Sequence, residues 1–306
     1  MKTAPIIGHQ RVFKFLKRAL ANDQVSHAYL FFGPAQLGKG TIANWFAREL
    51  VGANASAERN IIVVRPETSL KIAAVRSLQH ELSLTNPFGD SRVVILGDID
   101  DMTIEAQNAF LKLLEEPQTK VIFILLAKKL GSILPTIISR TQLVRFASVS
   151  IQELETALID QGVASAQARQ VARLAGGRPG WALSHIVDKQ KLVNLQEQIQ
   201  EFIRLFQAGI AERFQIVRRV SDAEDQGSIL EIWESILRDI FILQQHRDSD
   251  ITHVNLRKDL RAISDKFSAV KIMATLRGLR QAQQHLRKNL NHKLVLENFV
   301  LSHLPS

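Results

Sequence analysis

A glycine-rich stretch, residues 33–41, is the part of the sequence whose residue types and spacing could bind a phosphate. Gly33 and Gly38 allow the backbone to curl so that its N–H groups converge, and Lys39 adds a cation six residues after Gly33. The residues before the stretch predict a strand and those after it a helix, whose positive end would face the anion. An ordinary glycine turn would explain one glycine but not this spacing, which predicts a loop that holds nucleotide phosphates.

The positions that would hold Mg²⁺ beside those phosphates do not carry their usual residues. Gly40 stands where a serine or threonine hydroxyl contacts the metal, and the hydroxyl comes one place later, at Thr41. Gly97 stands where a strand would end in a metal-binding carboxylate, and Asp98 follows it. Because phosphoryl transfer needs the metal in place, these two losses predict that ATP binding is weak or absent and that hydrolysis is negligible.

Two alternatives stay open at this site. A shift of one residue would let Thr41, with Asp98 or Asp100, serve the metal, and the chain would then hydrolyse ATP itself. Adenylate-kinase-like loops also have the Gly-Lys-Gly-Thr order found at residues 38–41, which leaves a phosphotransferase as a further hypothesis. ATP turnover by the isolated chain tests the first alternative, and turnover on an AMP acceptor tests the second.

Arg140 lies in the connection between two predicted strands, at the edge of the face where a parallel sheet binds its ligands. From there it would point away from its own phosphate loop, towards a nucleotide on a neighbouring chain. An arginine in such a connection could equally be a surface residue in an ion pair. The residue types alone leave the two interpretations open.

The apolar pattern around these residues predicts strands that alternate with helices, as in a parallel sheet with helices on both faces. We expect the 61–64 strand to be buried, because it is a run of β-branched residues. A helix is predicted to begin at Thr103, a good N-cap, and to stop at Glu115-Glu116-Pro117. The predicted strands are 28–32, 61–64, 92–96, 121–126 and 143–146, and the predicted helices of this part are 9–22, 42–50, 72–84 and 103–115.

The predicted strands stop near residue 150, and the remaining sequence has helical periodicity. A length of 306 residues is also more than one compact core usually organises. We therefore predict an α/β domain of the nucleotide-binding type at 1–150, a small helical lid at 151–190 and an all-helical domain that drives assembly at 191–306.

The composition limits the partners and cofactors. A net charge of +9 and a pI near 9.9 favour a polyanion such as nucleic acid nearby. The sequence has no cysteine, which excludes disulfides and thiolate metal sites and fits a cytoplasmic protein, and its nine histidines do not have metal-binding spacing. No apolar run reaches the about 20 residues that cross a bilayer. We expect no membrane partner.

Several motifs together resemble bacterial clamp-loader subunits of the AAA+ class. Residues 108–117, Asn-Ala-Phe-Leu-Lys-Leu-Leu-Glu-Glu-Pro, match the "NALLKTLEEP" helix of that family. Residues 134–142, which include Ser139 and Arg140, stand where the family has "LLPTIRSRCQ". Further matches are Ile7–Gln10, His27–Pro34 and, near the end, His285–Glu297, which resembles the collar-domain signature.

This resemblance implies an AAA+ sheet domain, a lid and a helical collar within a hetero-oligomeric ring of clamp-loader subunits. Such a ring places the sliding clamp on primed DNA as part of a DNA polymerase III holoenzyme, and Arg140 would be an arginine finger that acts in trans. The family's cysteine-rich zinc module has no counterpart in the short 51–60 segment, which implies that no zinc is bound. Trp181 stands where the lid would carry its sensor arginine. These departures from the family's pattern favour a largely non-hydrolysing subunit. The alternative is the ATP-hydrolysing motor subunit of the same complex.

Overall fold

We describe a computed structural model that covers residues 6–52, 57–64, 71–84, 91–115, 120–223, 226–288 and 290–304. The chain divides into two compact units. The first comprises Met1–Gly162 with Gly177–Ala182, and the second comprises Val163–Gly176 with Leu183–Ser306. The boundaries of the predicted three-part division remain a prediction.

Five parallel strands form the sheet of the first unit, in the order β2-β3-β4-β1-β5. The apolar run of β1 is buried because it lies between β4 and β5, and Leu30 is aligned with Leu125 on one side and Leu143 on the other. All five carboxyl ends therefore meet at one edge of the sheet. The strands are β1 Ala28–Phe32, β2 Ile61–Val64, β3 Ser91–Leu96, β4 Lys120–Ala127 and β5 Gln142–Arg145.

The β2 strand is parallel, as predicted, but the expectation that it is buried is wrong. It stands at one end of the sheet order, and Val63 is 42% exposed. A strand at the end of a sheet has a neighbour on one side only, so its β-branched side chains are covered less completely.

Helices cover both faces of the sheet, which confirms the predicted α/β architecture. Leu30 points into a core with Phe110, whereas Tyr29 and Phe31 point to the other face, where they join Phe46. This follows from the alternation of side chains along a strand. The helices of this unit are α1 Gln10–Ala21, α2 Lys39–Val51, α3 Ile72–Ser83, α4 Ile104–Glu115, α5 Pro135–Ile138 and α6 Ile151–Asp160.

The predicted N-cap of α4 is present. The Oγ1 atom of Thr103 accepts a hydrogen bond from the backbone N–H of Ala106 at 3.3 Å, which satisfies one free N–H group of the first turn. The structure describes α4 as far as Glu115, the first residue of its predicted end, and Glu116 and Pro117 lie outside the described residues.

The second unit is helical in the parts that the structure describes. Trp233 is fully buried at its centre, where its ring stacks on Phe202 with centroids 4.9 Å apart. The helix α8 Pro179–Val187 belongs partly to each unit. The other helices are α7 Ser165–Ala175, α9 Lys189–Leu205, α10 Ile210–Ser221, α11 Gln226–Gln244, α12 Arg257–Lys266, α13 Ala269–Arg287 and α14 His292–Ser302.

A buried carboxylate and a buried imidazole hold the loop before α12 in the second unit. Asp239 is fully buried and accepts backbone N–H bonds from Thr252 at 2.9 Å and from His253 at 2.7 Å. The His253 ring lies with Nε2 3.2 Å from the Ser235 hydroxyl. Burial lowers the pKa of His253 to about 4, from an ordinary value of 6.5.

We expect His253 to make the second unit less stable in mild acid. Between pH 6.5 and 4 the unfolded chain binds the imidazole proton and the folded chain does not, so the free energy of unfolding decreases as pH falls through this range. The full shift corresponds to roughly 3 kcal/mol. Urea unfolding at pH 7 and pH 5 should show that His253→Gln has a weaker pH dependence than the parent chain. Equal pH dependence in the two proteins would contradict this assignment.

Candidate nucleotide-binding site

The predicted phosphate loop lines a cleft of about 580 Å³ at the carboxyl edge of the sheet, within the first unit. The loop and the start of α2 form one wall, the turn after β3 forms another, and Lys128 follows β4. The predicted site residues that line the cleft are Gly38, Lys39, Gly40, Thr41 and Asp98.

The two predicted loop glycines occupy backbone positions that other residues would fill only with strain. Gly33 has φ +145°, and a Cβ atom built there would lie 2.2 Å from the carbonyl oxygen of Phe146. Gly38 has φ +89° and is the N-cap of α2. Gly33 thus allows the close approach of two chain segments, and Gly38 allows the turn that starts the helix at the cleft.

The Lys39 ammonium group is held by the loop that precedes it. Its Nζ donates hydrogen bonds to the carbonyl oxygens of Gly33 and Pro34, both at 2.6 Å. Burial lowers the pKa of Lys39, and the negative charges of Asp100 and Asp98 act in the opposite direction. The lysine therefore keeps the loop curled and places a positive charge beside the first turn of α2.

The fold does not require glycine at residue 40. A Cβ atom built there would meet nothing nearer than the Cδ1 atom of Leu126, at 3.9 Å. The position could therefore carry the hydroxyl side chain that the phosphate-loop pattern expects. Thr41, which carries a hydroxyl one residue beyond the usual place, does line the cleft.

Lys128 is a cleft residue that was not predicted from the sequence. Its Nζ lies 3.3 Å from Asp98 Oδ1 and 3.1 Å from Asp101 Oδ2, so one ammonium group bridges two carboxylates. Burial acts to lower the pKa of Lys128, but the hydrogen bond to Asp101 and the charges of Asp98 and Asp101 outweigh it and raise the pKa overall. The lysine is therefore charged and paired at the cleft.

Asp100 fixes the backbone of this lysine. Its Oδ1 atom accepts the backbone N–H of Lys128 at 3.1 Å, and its backbone oxygen accepts the Ser132 hydroxyl at 2.8 Å. The other carboxylate oxygen is buried and has no hydrogen-bond partner among the described residues. The charge of Asp100 acts to raise the pKa of Lys39. No group of three or more histidine, aspartate or glutamate side chains is arranged to hold a metal ion in the described part of the chain.

Arg140 lies just after α5, away from the residues that line the cleft. Its Nη2 atom is 2.8 Å from Glu115 Oε1 at the end of α4, and its Nη1 donates to the Thr136 carbonyl at 3.2 Å. The side chain is 39% exposed. An exposed ion pair of this kind contributes at most about 1 kcal/mol, so Glu115 could release the guanidinium to another partner at little cost. The trans role of Arg140 remains a prediction.

The stretch around Gly180, which includes the position expected to carry the lid's sensor arginine, contacts the phosphate loop. The backbone N–H of Gly180 donates to the carbonyl oxygen of Gln36 at 2.8 Å, and Gly180 lines the cleft. A Cβ atom at Gly180 would lie 2.9 Å from that oxygen. Trp181, which stands where the sensor arginine was expected, is half-buried.

The sheet order, the phosphate loop after β1 and the helical second unit together define an AAA+ type of protein. Residues 8–150 match the family described as "DNA polymerase III, delta subunit". Residues 189–303 match the family described as "DNA polymerase III, delta subunit, C terminal". Because these two matches span most of the chain, it belongs to the DNA polymerase III delta-subunit family, and the predicted clamp-loader relationship is confirmed.

Two relatives match over nearly their whole length. DNA polymerase III subunit delta' of Bacillus subtilis is 26% identical, over 95% of this chain and 94% of the relative. Its counterpart in Pseudomonas aeruginosa is 28% identical, over 91% of this chain and 92% of the relative. A DNA polymerase III gamma subunit-related protein of Thermotoga maritima has a solved structure that is 20% identical, covers 94% of this chain and 98% of its own, and gives a TM-score of 0.48.

The relative that represents the motor alternative matches less of the chain. DNA polymerase III subunit tau of Bacillus subtilis is 28% identical over 49% of this chain and 30% of the relative. The comparisons therefore support the delta' relationship more than the motor alternative. No helix among the described residues is long and apolar enough to cross a membrane.

Proposed function

We propose that this chain is a delta'-type clamp-loader subunit, which helps an ATP-driven ring open a sliding clamp and place it on primed DNA. Matches to both parts of the delta-subunit family and to delta' relatives over more than nine-tenths of the chain support this role. The net charge of +9 suits a protein that works beside DNA phosphates. We expect the complex to be cytoplasmic and to contain other clamp-loader subunits.

The proposal that this subunit does not hydrolyse ATP rests on the residues found at the metal-binding positions. Asp98, the carboxylate closest to the usual metal position, is already paired with Lys128. Gly40 and Gly97, which also line the cleft, have no side chain that could hold Mg²⁺. A site whose usual metal ligands are missing or already paired lacks the charge that stabilises the transferred phosphoryl group. The chain would then act as a fixed partner in the ring.

Arg140 is the residue that we propose takes part in catalysis, on a neighbouring subunit's nucleotide. It lies away from its own cleft, half-exposed and held by a single carboxylate. A guanidinium is charged at any working pH and can make a planar two-pronged contact with a phosphate, which a lysine cannot. It would stabilise the charge that develops during phosphoryl transfer on the neighbour.

Native mass spectrometry of the complex purified through a tagged copy of this chain from its own cells tests the proposed function. A hetero-oligomer with other DNA polymerase III clamp-loader subunits is the expected result. Recovery of the chain alone, or only with proteins unrelated to replication, would contradict it. Loading of a labelled clamp onto primed DNA, with and without this chain, is the corresponding activity measurement.

We expect the isolated chain to turn over ATP negligibly, because Gly40, Gly97 and the Asp98–Lys128 pair leave no Mg²⁺ site. Release of inorganic phosphate, measured with excess Mg²⁺, should not exceed that of a Lys39→Ala variant. Turnover at the rate of an ordinary AAA+ motor would instead support the motor alternative. Transfer to an AMP acceptor would support the phosphotransferase hypothesis.

A further inference from the structure

Lys128 places a positive charge in the cleft beside the phosphate loop. It follows β4 at the carboxyl edge of the sheet, and its backbone is fixed by Asp100. Its ammonium group lies between Asp98 and Asp101, the two carboxylates that a divalent cation would otherwise find. Since Asp98 lines the cleft, the lysine also neutralises a charge that would repel phosphate.

A divalent ion at this place would meet the charge of the lysine. To bind, it would have to displace the ammonium from both aspartates, at 3.3 and 3.1 Å, or sit beside it against like-charge repulsion. The backbone hydrogen bond from Lys128 to Asp100 fixes the point from which the lysine side chain extends. The cleft therefore disfavours Mg²⁺ even though it contains carboxylates.

The groups that attract an anion remain in the same cleft. The first turn of α2 begins at Lys39, and residues 38–41 of this turn line the cleft. The start of a helix has free backbone N–H groups, which favour an anion. Lys39 lies on this side, and Lys128, whose side chain is 48% exposed, lies opposite in the same lining. Two lysines and a helix N-terminus thus line one space of about 580 Å³.

We propose that Lys128 replaces the divalent metal of this cleft, so that a nucleoside di- or triphosphate binds here without Mg²⁺. The lysine would contact the outer phosphates while Asp98 and Asp101 continue to hold it. This inference concerns the cleft alone and does not depend on the proposed clamp-loader function. It would give the subunit a nucleotide that stabilises it and that is not consumed.

Isothermal titration of the full chain with ADP and with ATP, in excess Mg²⁺ and in EDTA, tests the proposal. For the parent chain we expect dissociation constants that agree within about threefold between the two buffers. Lys128→Met should weaken binding in EDTA by roughly 10- to 100-fold, the loss expected for one charge-assisted hydrogen bond. In the same variant Mg²⁺ should recover part of the affinity, because Asp98 and Asp101 are then free to hold it.

Lys129→Met is the matched control, since it removes the same charge from the next residue, which does not line the cleft. It should bind nucleotide within about threefold of the parent chain, and thermal melts should show that both variants are folded. The proposal fails if the parent chain binds no nucleotide at millimolar concentration or needs Mg²⁺ for tenfold or more of its affinity. It also fails if Lys128→Met and Lys129→Met have the same effect.

Discussion

Replacing Arg140 with alanine should lower ATP turnover by about 10³- to 10⁵-fold at the one neighbouring site that this arginine serves in the assembled complex. The reason is electrostatic: an arginine finger stabilises charge that appears only in the transition state, so its loss affects turnover more than binding. Clamp-stimulated ATPase and clamp loading should fall sharply. Assembly and the neighbour's affinity for ATP should change much less.

A substitution of Glu115 distinguishes the role of Arg140 in trans from that of a structural ion pair. If Arg140 only pairs with Glu115, then Glu115→Gln and Arg140→Ala break the same 2.8 Å contact and should have the same small effect. If Arg140 acts in trans, Glu115→Gln keeps the arginine and should reduce activity less than about tenfold. Arg140→Lys should resemble the alanine variant, because the two-pronged contact is lost although the charge remains.

Arg76→Ala is a suitable control, because it removes an exposed arginine of the same unit from α3. It should load clamps like the parent. Parental ATPase and loading by the Arg140→Ala complex would show that Arg140 is a surface ion-pair residue. The family assignment would then still stand, since it depends on the matches along the whole chain.

The strands could be predicted to within one or two residues, because the sequence of a buried parallel strand is a short, continuous apolar run. Exposure could not be predicted in the same way. The Ile61–Val64 run looks like a central strand, but the sheet order places it at one end, where Val63 is exposed. Sheet order depends on how helices pack between strands far apart in sequence, and a local pattern does not contain that information.

The phosphate loop could be predicted from the sequence, but the pairing of Lys128 with Asp98 could not. Gly33, Gly38 and Lys39 lie close together in sequence and have a spacing that the chemistry requires. Lys128 meets Asp98 only because β3 and β4 pair in a register that aligns Leu96 with Leu125. The carboxyl ends of the two strands then lie side by side, although 30 residues separate the lysine from the aspartate. The contact between Arg140 and Glu115 likewise joins two distant segments.

Two leucines on α14 should be essential for assembly. Leu294 and Leu301 are seven residues apart, on one face of the helix, and their exposed fractions are 63% and 56%. Leu296, Phe299 and Val300 of the same helix are buried, so the helix has a core face besides this exposed apolar one. Large apolar side chains exposed together mark surfaces that bind other proteins. This placement agrees with the prediction that residues 191–306 drive assembly.

Leu294→Glu combined with Leu301→Glu should abolish assembly, because it places two charges where apolar contact is required. We expect the variant to elute from size-exclusion chromatography as a free chain, while its thermal unfolding stays within a few degrees of the parent. This substitution is a sharper test than deleting residues from 192 onward, since α7 belongs to the same compact unit as the deleted helices and would lose its packing. Ile104→Glu, at a position 63% exposed in the first unit, is the matched control and should assemble normally. A double variant that enters the complex like the parent would show that another surface of the chain drives assembly.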